Sequence, residues 1–474
     1  MKIKLIILFI ASYSLSLLSQ NGNESTYRSV MDKIMTTYNN KNYKGFYNLL
    51  SEKFRSSMSE KELTTFLSEN LFEQLGRIQS ITYYKEEKGA KIYKTQFEKD
   101  SLSLTIACNY NSEIELFLFK PFEEKNNTYK KNSNSTNAKK TELDLIVDSI
   151  VSNYASSPLS VGLSIGIILN NKTFYYHYGA FEKGTNKLPT NETIYEIGSI
   201  SKTFTGTLLA KAIEDNKVKL EDDIRKYLPA SCARLEYKGS AIILKHLVNH
   251  TSRIPKIPTN LMQQKEYNLT NPYKNYTKKL LYEYLSTLQI DTLPGLIQEY
   301  SNTGMALLGI ILQTVYKKSY EQLIQEYITK PIGMNKTFVT VPSTLENFYT
   351  KGYTNGVETN HWDLGDIPGC GGIKSTIEDM LNYMNANLNE TKTFYKTAHQ
   401  ITYQKGKQSS AFAWFINSNT EPPIIWHNGG TGGFTSFCGM IKGKKCAVIL
   451  LSNTSDNRNE VNEMGVTILK YLQK

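Results

Sequence analysis

Residues 125–140 read KNNTYKKNSNSTNAKK, a stretch with five lysines, five asparagines and no large aliphatic side chain. Such a segment cannot bury enough apolar surface to offset the entropy of ordering it. It reads as a linker and forbids one continuous core: a small unit must fold before it and a larger one after it. The expected divisions of the 474-residue chain are a small domain at 24–120, a linker at 121–141 and a large domain at 142–474. With 40% hydrophobic and 21% charged residues the composition is globular, which excludes wholesale disorder.

The formal net charge of +11 invites a nucleic-acid reading, so its distribution matters. Residues 1–23 carry +2, 24–120 carry +1, 121–141 carry +3 and 142–474 carry +5. No region concentrates the basic patch that a sequence-independent phosphate binder needs, so no nucleic-acid partner is expected. At the N-terminus, Lys2 and Lys4 precede an apolar run from Leu5 to Leu18, then Ser19, Gln20 and Asn21. That is a charged n-region, a short h-region and a small-residue cleavage site, so residues 1–20 read as a signal peptide for export. The run is broken by Ser12, Ser14 and Ser16 and falls short of the roughly 20 residues that span a bilayer. An uncleaved N-terminal membrane anchor is the alternative. The five cysteines, at 108, 232, 370, 438 and 446, are odd in number and lack CxxC spacing, which signals neither a zinc site nor a disulfide framework. If a turn at 442–445 pairs residue 441 with Cys446, Cys438 lies an odd number of residues from that partner and its sulfur faces the other side of the sheet. Free thiols are expected.

In the small domain, 25–38 and 59–75 have helical spacing, the second with Leu63, Phe66, Leu67, Leu71 and Leu75 in one stripe. Beyond Gly76 the pattern turns β-rich at 78–84, 90–97, 102–108 and 113–119. This element order resembles the cone-shaped domains of the nuclear-transport-factor-two-like superfamily. The resemblance supplies no catalytic residue and implies an accessory module whose partner is unknown.

The large domain opens on an apolar helical face formed by Leu143, Ile146, Val147, Ile150, Val151 and Tyr154. Val161–Ile167 and Phe174–Tyr178 follow as a hairpin turning at Asn170-Asn171-Lys172. The chain ends with strands at 434–441 and 446–452 and a helix at 461–472. Strands at both ends with helical pattern between predict an α/β (α+β) fold, with one antiparallel sheet flanked by terminal helices and an inserted helical region.

The chemistry starts at Ser199-Ile-Ser-Lys202, the one Ser-x-x-Lys in the chain, which leads into an apolar-periodic helix. Residues i and i+3 are neighbours on a helix, so hydroxyl and amine meet there. A serine hydroxyl needs a base to become nucleophilic, and a lysine serves when desolvation disfavours its ammonium form. A helix N-terminus adds unpaired N–H groups suited to an oxyanion. Tyr-x-Asn occurs five times. The copy at Tyr300-Ser-Asn302 is singled out by Pro294-Gly295 upstream and by Gly304 and an apolar helix downstream. Near the C-terminus, Trp426-His427-Asn428-Gly429-Gly430 leads into a strand. The order Ser-x-x-Lys, Tyr-x-Asn, His-x-Gly resembles the serine β-lactamase and penicillin-binding protein superfamily, in particular the class C β-lactamase-related branch with its esterases and D-amino-acid peptidases. Smaller echoes are Lys245–Ser252, Lys330–Met334 and Gly371–Met380, so the resemblance spans roughly 142–474.

The resemblance implies a β-lactamase/transpeptidase-like fold and a serine hydrolase working through an acyl-enzyme without a cofactor. It makes Ser199 the acylated nucleophile, Lys202 its proton partner and Tyr300, beside that lysine, the general base that later protonates the leaving group. Asn302 would bind a substrate amide or place Lys202. The N–H groups of Ser199 and Gly430 would form the oxyanion hole, with Gly429 beside them and His427 flanking the substrate. The β-lactamase third motif is Lys-Thr-Gly. A histidine in place of its permanently charged lysine weakens the grip on a substrate carboxylate, which favours esters, D-amino-acid peptides or related amides of the cell envelope over β-lactams. A β-lactamase is the same-site alternative, and a non-catalytic envelope-binding protein is the alternative of a different class. His246 and His250 are four apart, but Leu247 follows His246, so the His-Glu-x-x-His base is absent and no metal site is expected. Asp222-Asp223 read as a solvated turn.

Overall fold

The computed structural model describes residues 24–56, 58–87, 90–109, 111–122, 134–264, 267–455 and 459–473. The signal-peptide expectation at 1–20 lies outside the described residues. The chain separates into two compact units, Met1–Thr128 and Tyr129–Lys474.

In the small unit, helix α1 (Glu24–Asn39) buries Tyr27, Val30, Ile34 and Tyr38 along one stripe. The second helical stretch buries Leu63, Leu67, Leu71 and Leu75. A strict four-residue spacing drifts about 40° per step around a 3.6-residue helix. Here the helix widens to π-type hydrogen bonding over Phe66–Phe72, which keeps the leucines on one side. Strands β1 (Ile78–Glu87), β2 (Ala90–Phe97), β3 (Ser101–Cys108) and β4 (Ile114–Pro121) form an antiparallel meander in sequence order. Tyr93, Phe97, Leu104, Ile106, Phe117 and Phe119 alternate along it and join the helical leucines in one core.

The linker expectation is narrowed at its C-terminal side. Thr136 N–H donates to the carbonyl of His177 (3.0 Å), Gly179 N–H to that of Asn134 (2.8 Å), and Asn137 Nδ2 to the Tyr178 hydroxyl (2.7 Å). Residues 134–137 are therefore tied to the edge of the large sheet. Polar side chains that cannot build a core still satisfy the open hydrogen bonds of an edge strand.

The large unit begins with helix α2 (Glu142–Ala155) and the hairpin β5 (Gly162–Leu169) and β6 (Lys172–Gly179). Asn170 and Asn171 both take positive φ, the conformation a two-residue hairpin turn requires. Then come helices α3 (Ser201–Glu214), α4 (Asn302–Tyr316) and α5 (Ile377–Leu388). The chain closes with β7 (Tyr403–Lys405), β8 (Gln408–Ser410), β9 (Phe415–Asn417), β10 (Ile424–Gly430), β11 (Thr435–Ile441), β12 (Cys446–Ser452) and helix α6 (Glu460–Leu472). Among the described residues the principal sheet has eight strands, in the order β7-β8-β9-β10-β11-β12-β5-β6, all antiparallel.

The sheet assembled from both chain ends is as the sequence predicts, but β7–β10 are additional strands. Three of them span only three residues, too few for an alternating pattern to register. Strand β12 is buried at every position. Val448 and Leu450 pack with Val151 of α2, Phe437 of β11 and Ile468 of α6, while Ala447, Ile449 and Leu451 pack with Ile377 and Leu381 of α5. Each such aliphatic side chain contributes about 1.5–3 kcal/mol of burial. Helix α6 lies so close to β11 that a Cβ on Gly465 would fall 2.1 Å from the Phe437 ring. Ile441 pairs with Cys446, so Cys438 and Cys446 face opposite sides, and all five cysteines are buried and free. The turn at Asp222-Asp223 is ion-paired rather than solvated: Asp222 accepts from Lys226 (2.6 Å) and the Tyr227 hydroxyl (2.7 Å), and Asp223 from Arg225. Among the described residues, no helix is long and apolar enough to cross a membrane.

Candidate active site

Ser199 sits in a single tight turn, Gly198–Ile200, that runs directly into α3, so it precedes the α-helix proper instead of opening it. The turn is held on two sides. Ile197 N–H donates to the carbonyl of Ile373 (3.1 Å), and the Ser436 hydroxyl of β11 donates to the carbonyl of Ile197 (2.8 Å). Strand β10 then presses against it. Gly198 has φ +51°, and a Cβ there would lie 2.6 Å from the nitrogen of Gly430. One on Gly429 would lie 2.1 Å from the carbonyl oxygen of Ile197 and 3.0 Å from the nitrogen of Ser199. Glycine at both positions lets the two backbones touch where the nitrogens of Ser199 and Gly430 lie.

Lys202, one turn along from Ser199, is completely buried. Its Nζ donates to Ser199 Oγ at 2.8 Å and to the carbonyl oxygen of Cys370, and lies 4.9 Å from the centroid of the Tyr300 ring. A buried ammonium is tolerated only when its protons are matched by acceptors, and the face of an aromatic ring supplies the third side. Ser199 is itself partly exposed, so its hydroxyl meets solvent on one side and the lysine on the other.

Tyr300 precedes α4 and belongs to a ring cluster. The centroids of His250, His427 and Phe415 lie 4.5, 6.4 and 6.4 Å from its own, and Phe415 is 5.1 Å from His427. His427 is fully buried, and its Nδ1 is 2.6 Å from the carbonyl oxygen of Asn428. A carbonyl only accepts, so Nδ1 carries the proton and Nε2, which has no partner, is left as a bare acceptor. Burial first, and the Lys202 charge second, push the imidazole down to about 3, so it is neutral at any physiological pH. Asn302 is the first residue of α4, and Ser301 caps the helix by accepting Gly304 N–H at 2.8 Å. Asn302 Oδ1 is buried without a hydrogen bond, and none joins Asn302 to Lys202.

Ser199, Lys202, Tyr300, His427, Gly429 and Gly430 thus converge, and Asn302 stands at the end of the helix beside them. Sequence reasoning assigned nothing to Phe415, His250 or the Cys370 carbonyl. Phe415 lies in a strand too short to register, and a backbone carbonyl leaves no trace in residue identity. In the sequence His250 stands only within the Lys245–Ser252 echo and as one of two histidines four apart. His246 and His250 do not share a helix face, because the helix Leu244–Val248 ends before the second. Their Nδ1 atoms accept from the N–H groups of Ile243 and Ser301, each at 3.3 Å. Among the described residues, no group of three His, Cys, Asp or Glu side chains is placed to hold a metal.

Comparison with known proteins gives matches on both sides of the linker. The Beta-lactamase family model matches residues 147–473, and a model described as a protein of unknown function (DUF3887) matches 32–117. The D-alanyl-D-alanine-carboxypeptidase/endopeptidase AmpH of Escherichia coli (strain K12) is 29% identical over 318 residues, covering 62% of this chain and 80% of the relative. A Beta-lactamase of Pseudomonas fluorescens is 25% identical over 351 residues, covering 66% and 94%. Among solved structures, a Beta-lactamase/D-alanine carboxypeptidase from Yersinia pestis complexed with citrate superimposes with a TM-score of 0.61 at 25% identity, covering 70% of this chain and 99% of that one.

Proposed function

The chain belongs to the beta-lactamase family and is a β-lactamase-related serine hydrolase, and from that premise we propose that it is exported and acts through an acyl-enzyme on Ser199. Its substrates are esters, D-amino-acid peptides or related amides of the cell envelope. The observation that carries this reading is the 2.8 Å contact between the buried Lys202 Nζ and Ser199 Oγ, beside the close backbone contact of Gly198 with Gly430. Ser199 Oγ attacks the substrate carbonyl as its proton passes to Tyr300, the general base, while Lys202 Nζ stays hydrogen-bonded to the same oxygen. The negative charge on the carbonyl oxygen is met by the N–H groups of Ser199 and Gly430. The carbon–nitrogen or carbon–oxygen bond then breaks, and Tyr300 delivers a proton to the leaving group. Water attacks the resulting ester as Tyr300 takes its proton and passes it to the departing Ser199 Oγ, which regenerates the hydroxyl. Asn302 faces the substrate amide. Residues 24–120 form a separate accessory domain, joined through the lysine- and asparagine-rich linker.

A neutral His427 offers a substrate carboxylate no fixed charge, which supports esters and peptides over efficient β-lactam hydrolysis. β-Lactamase activity is the second reading, supported by relatives that carry that name. The deciding experiment incubates the protein and Ser199→Ala with p-nitrophenyl esters, D-alanyl peptides, a fluorescent penicillin and a chromogenic cephalosporin. Ester or peptide turnover that disappears in the variant supports the proposal. Rapid cephalosporin turnover moves the assignment to β-lactamase, and no turnover or labelling with any of them sinks catalysis.

A further inference from the structure

Tyr300 stands in neither helix nor strand, yet the chemistry proposed for it requires its hydroxyl to be held beside Lys202 and Ser199. His250 meets the chain on both sides of it as well as its ring. The N–H of Glu299, just before Tyr300, donates to the carbonyl oxygen of His250 at 2.7 Å. The N–H of Ser301, just after, donates to His250 Nδ1 at 3.3 Å. The imidazole itself packs on the phenol ring, centroid to centroid 4.5 Å, with Phe415 beyond it at 6.3 Å. His250 is 2% exposed and adopts φ +62°, a conformation uncommon for a residue with a side chain.

We propose that His250 is a positioning residue for Tyr300, clamping the backbone on both sides of it while its ring sets the plane of the phenol. The proposal rests on Tyr300 being the general base. Hydrogen-bond logic makes it specific. A backbone N–H only donates, so Nδ1 must be an acceptor and the ring must be neutral with its proton on Nε2. Phenylalanine would pack on Tyr300 but leave Ser301 N–H unpaired. Asparagine places an amide oxygen where Nδ1 stands and tolerates positive φ. Glutamine reaches the position of Nε2 instead, which separates the two ring nitrogens by substitution. The imidazole need not touch substrate: misplacing a catalytic group by an ångström or so is enough to lower the rate about 10²-fold.

The test is a double-mutant cycle with a p-nitrophenyl ester, following kcat and KM for His250→Asn, His250→Gln and His250→Leu, each alone and combined with Tyr300→Phe. Melting is followed by tryptophan fluorescence. His250→Leu is expected to lower kcat about 10–100-fold with KM within about threefold, His250→Gln to fall similarly, and His250→Asn to stay within about fivefold of the parent. On the Tyr300→Phe background the same changes should cost less than about twofold, because the group they position is gone. Equal losses on both backgrounds, or Asn no better than Gln, overturn the clamp and leave His250 a packing residue. Should His250→Leu fail to fold, the Asn–Gln pair carries the comparison. If Tyr300→Phe alone leaves kcat unchanged, the general-base assignment falls and takes the clamp with it. A slow Tyr300→Phe with an additive cycle removes only the clamp.

Discussion

The two units of this chain each build an antiparallel sheet and pack helices against it, but assemble it in opposite ways. In the small unit each strand pairs with the next in sequence, β1 through β4, and the helices that cover them come just before. In the large unit β5 pairs with β12, so that Leu163 meets Ser452 across almost the whole length of the domain. Local pairing closes short loops and folds fast, whereas distant pairing is slower and makes every part depend on the chain's last segment. The difference is also chemical. Ser199, Tyr300, Cys370 and His427 come from four separate stretches, and only non-local assembly brings them together. The small unit has no histidine, while all six histidines and all three tryptophans lie in the large one.

The largest effect should come from removing residues 435–474. That deletes β11, β12 and α6, and should abolish the native tryptophan fluorescence of the large unit while hydrogen exchange in β1–β4 stays protected. Loss of protection in both units would show that the contrast in assembly is wrong. Next is Gly429→Ala, whose methyl would collide with the Ile197 carbonyl. It should cut kcat/KM for an ester by about 10²-fold or more through the displaced oxyanion donors, and a rate within threefold of the parent would refute the close backbone contact as a catalytic requirement. Leu104→Ala, in the small-unit core, should cost about 2–5 kcal/mol of that unit's stability. Turnover of a small ester should change by less than about twofold, since Ser199, Lys202, Tyr300 and His427 all belong to the large unit. A matching drop in turnover would mean that the accessory unit is part of the catalytic machinery.

A further contrast between the units is in acid. Burial holds His246 and His399 down to about 4 and His427 down to about 3, and depresses His177 and His250 as well. Each is neutral when folded but titrates near 6.5 once unfolded. The stability they contribute is therefore complete above about pH 6.5 and is lost progressively as pH falls toward 4, because the unfolded state binds more protons. Tryptophan-detected melting of the large unit should fall steadily between pH 7 and 4.5. The small unit, without a histidine, should hold until its carboxylates titrate. Parallel losses in both units across that window would contradict the assignment of the effect to buried imidazoles.

How much was legible follows the same divide. Most of the small unit could be read from local patterns such as the alternating strand Ser101–Cys108 and the leucine stripe 63–75, whereas the helices Tyr43–Tyr47 and Glu52–Arg55 are too short to show a period and were not. In the large unit the terminal strands were legible from Val161–Ile167 and Cys446–Ser452, whose apolar runs are long. The three-residue strands before β10 were not, and with them Phe415 went unseen. Ser199, Lys202 and Tyr300 were legible because each sits in a short motif with a fixed chemical spacing. The clamp by His250 was not, since it depends on a carbonyl and a ring nitrogen meeting two N–H groups some fifty residues away.

The chemistry proposed for this site turns on a covalent intermediate on one serine. It is tested most directly by quenching the protein within seconds of mixing with a penicillin or a slowly hydrolysed ester, then measuring intact mass and mapping the modified peptide. A single acyl addition is expected on the peptide containing Ser199, absent from Ser199→Ala and accumulating more slowly in Tyr300→Phe. Turnover without any acylated species, or an adduct on another residue, would contradict it.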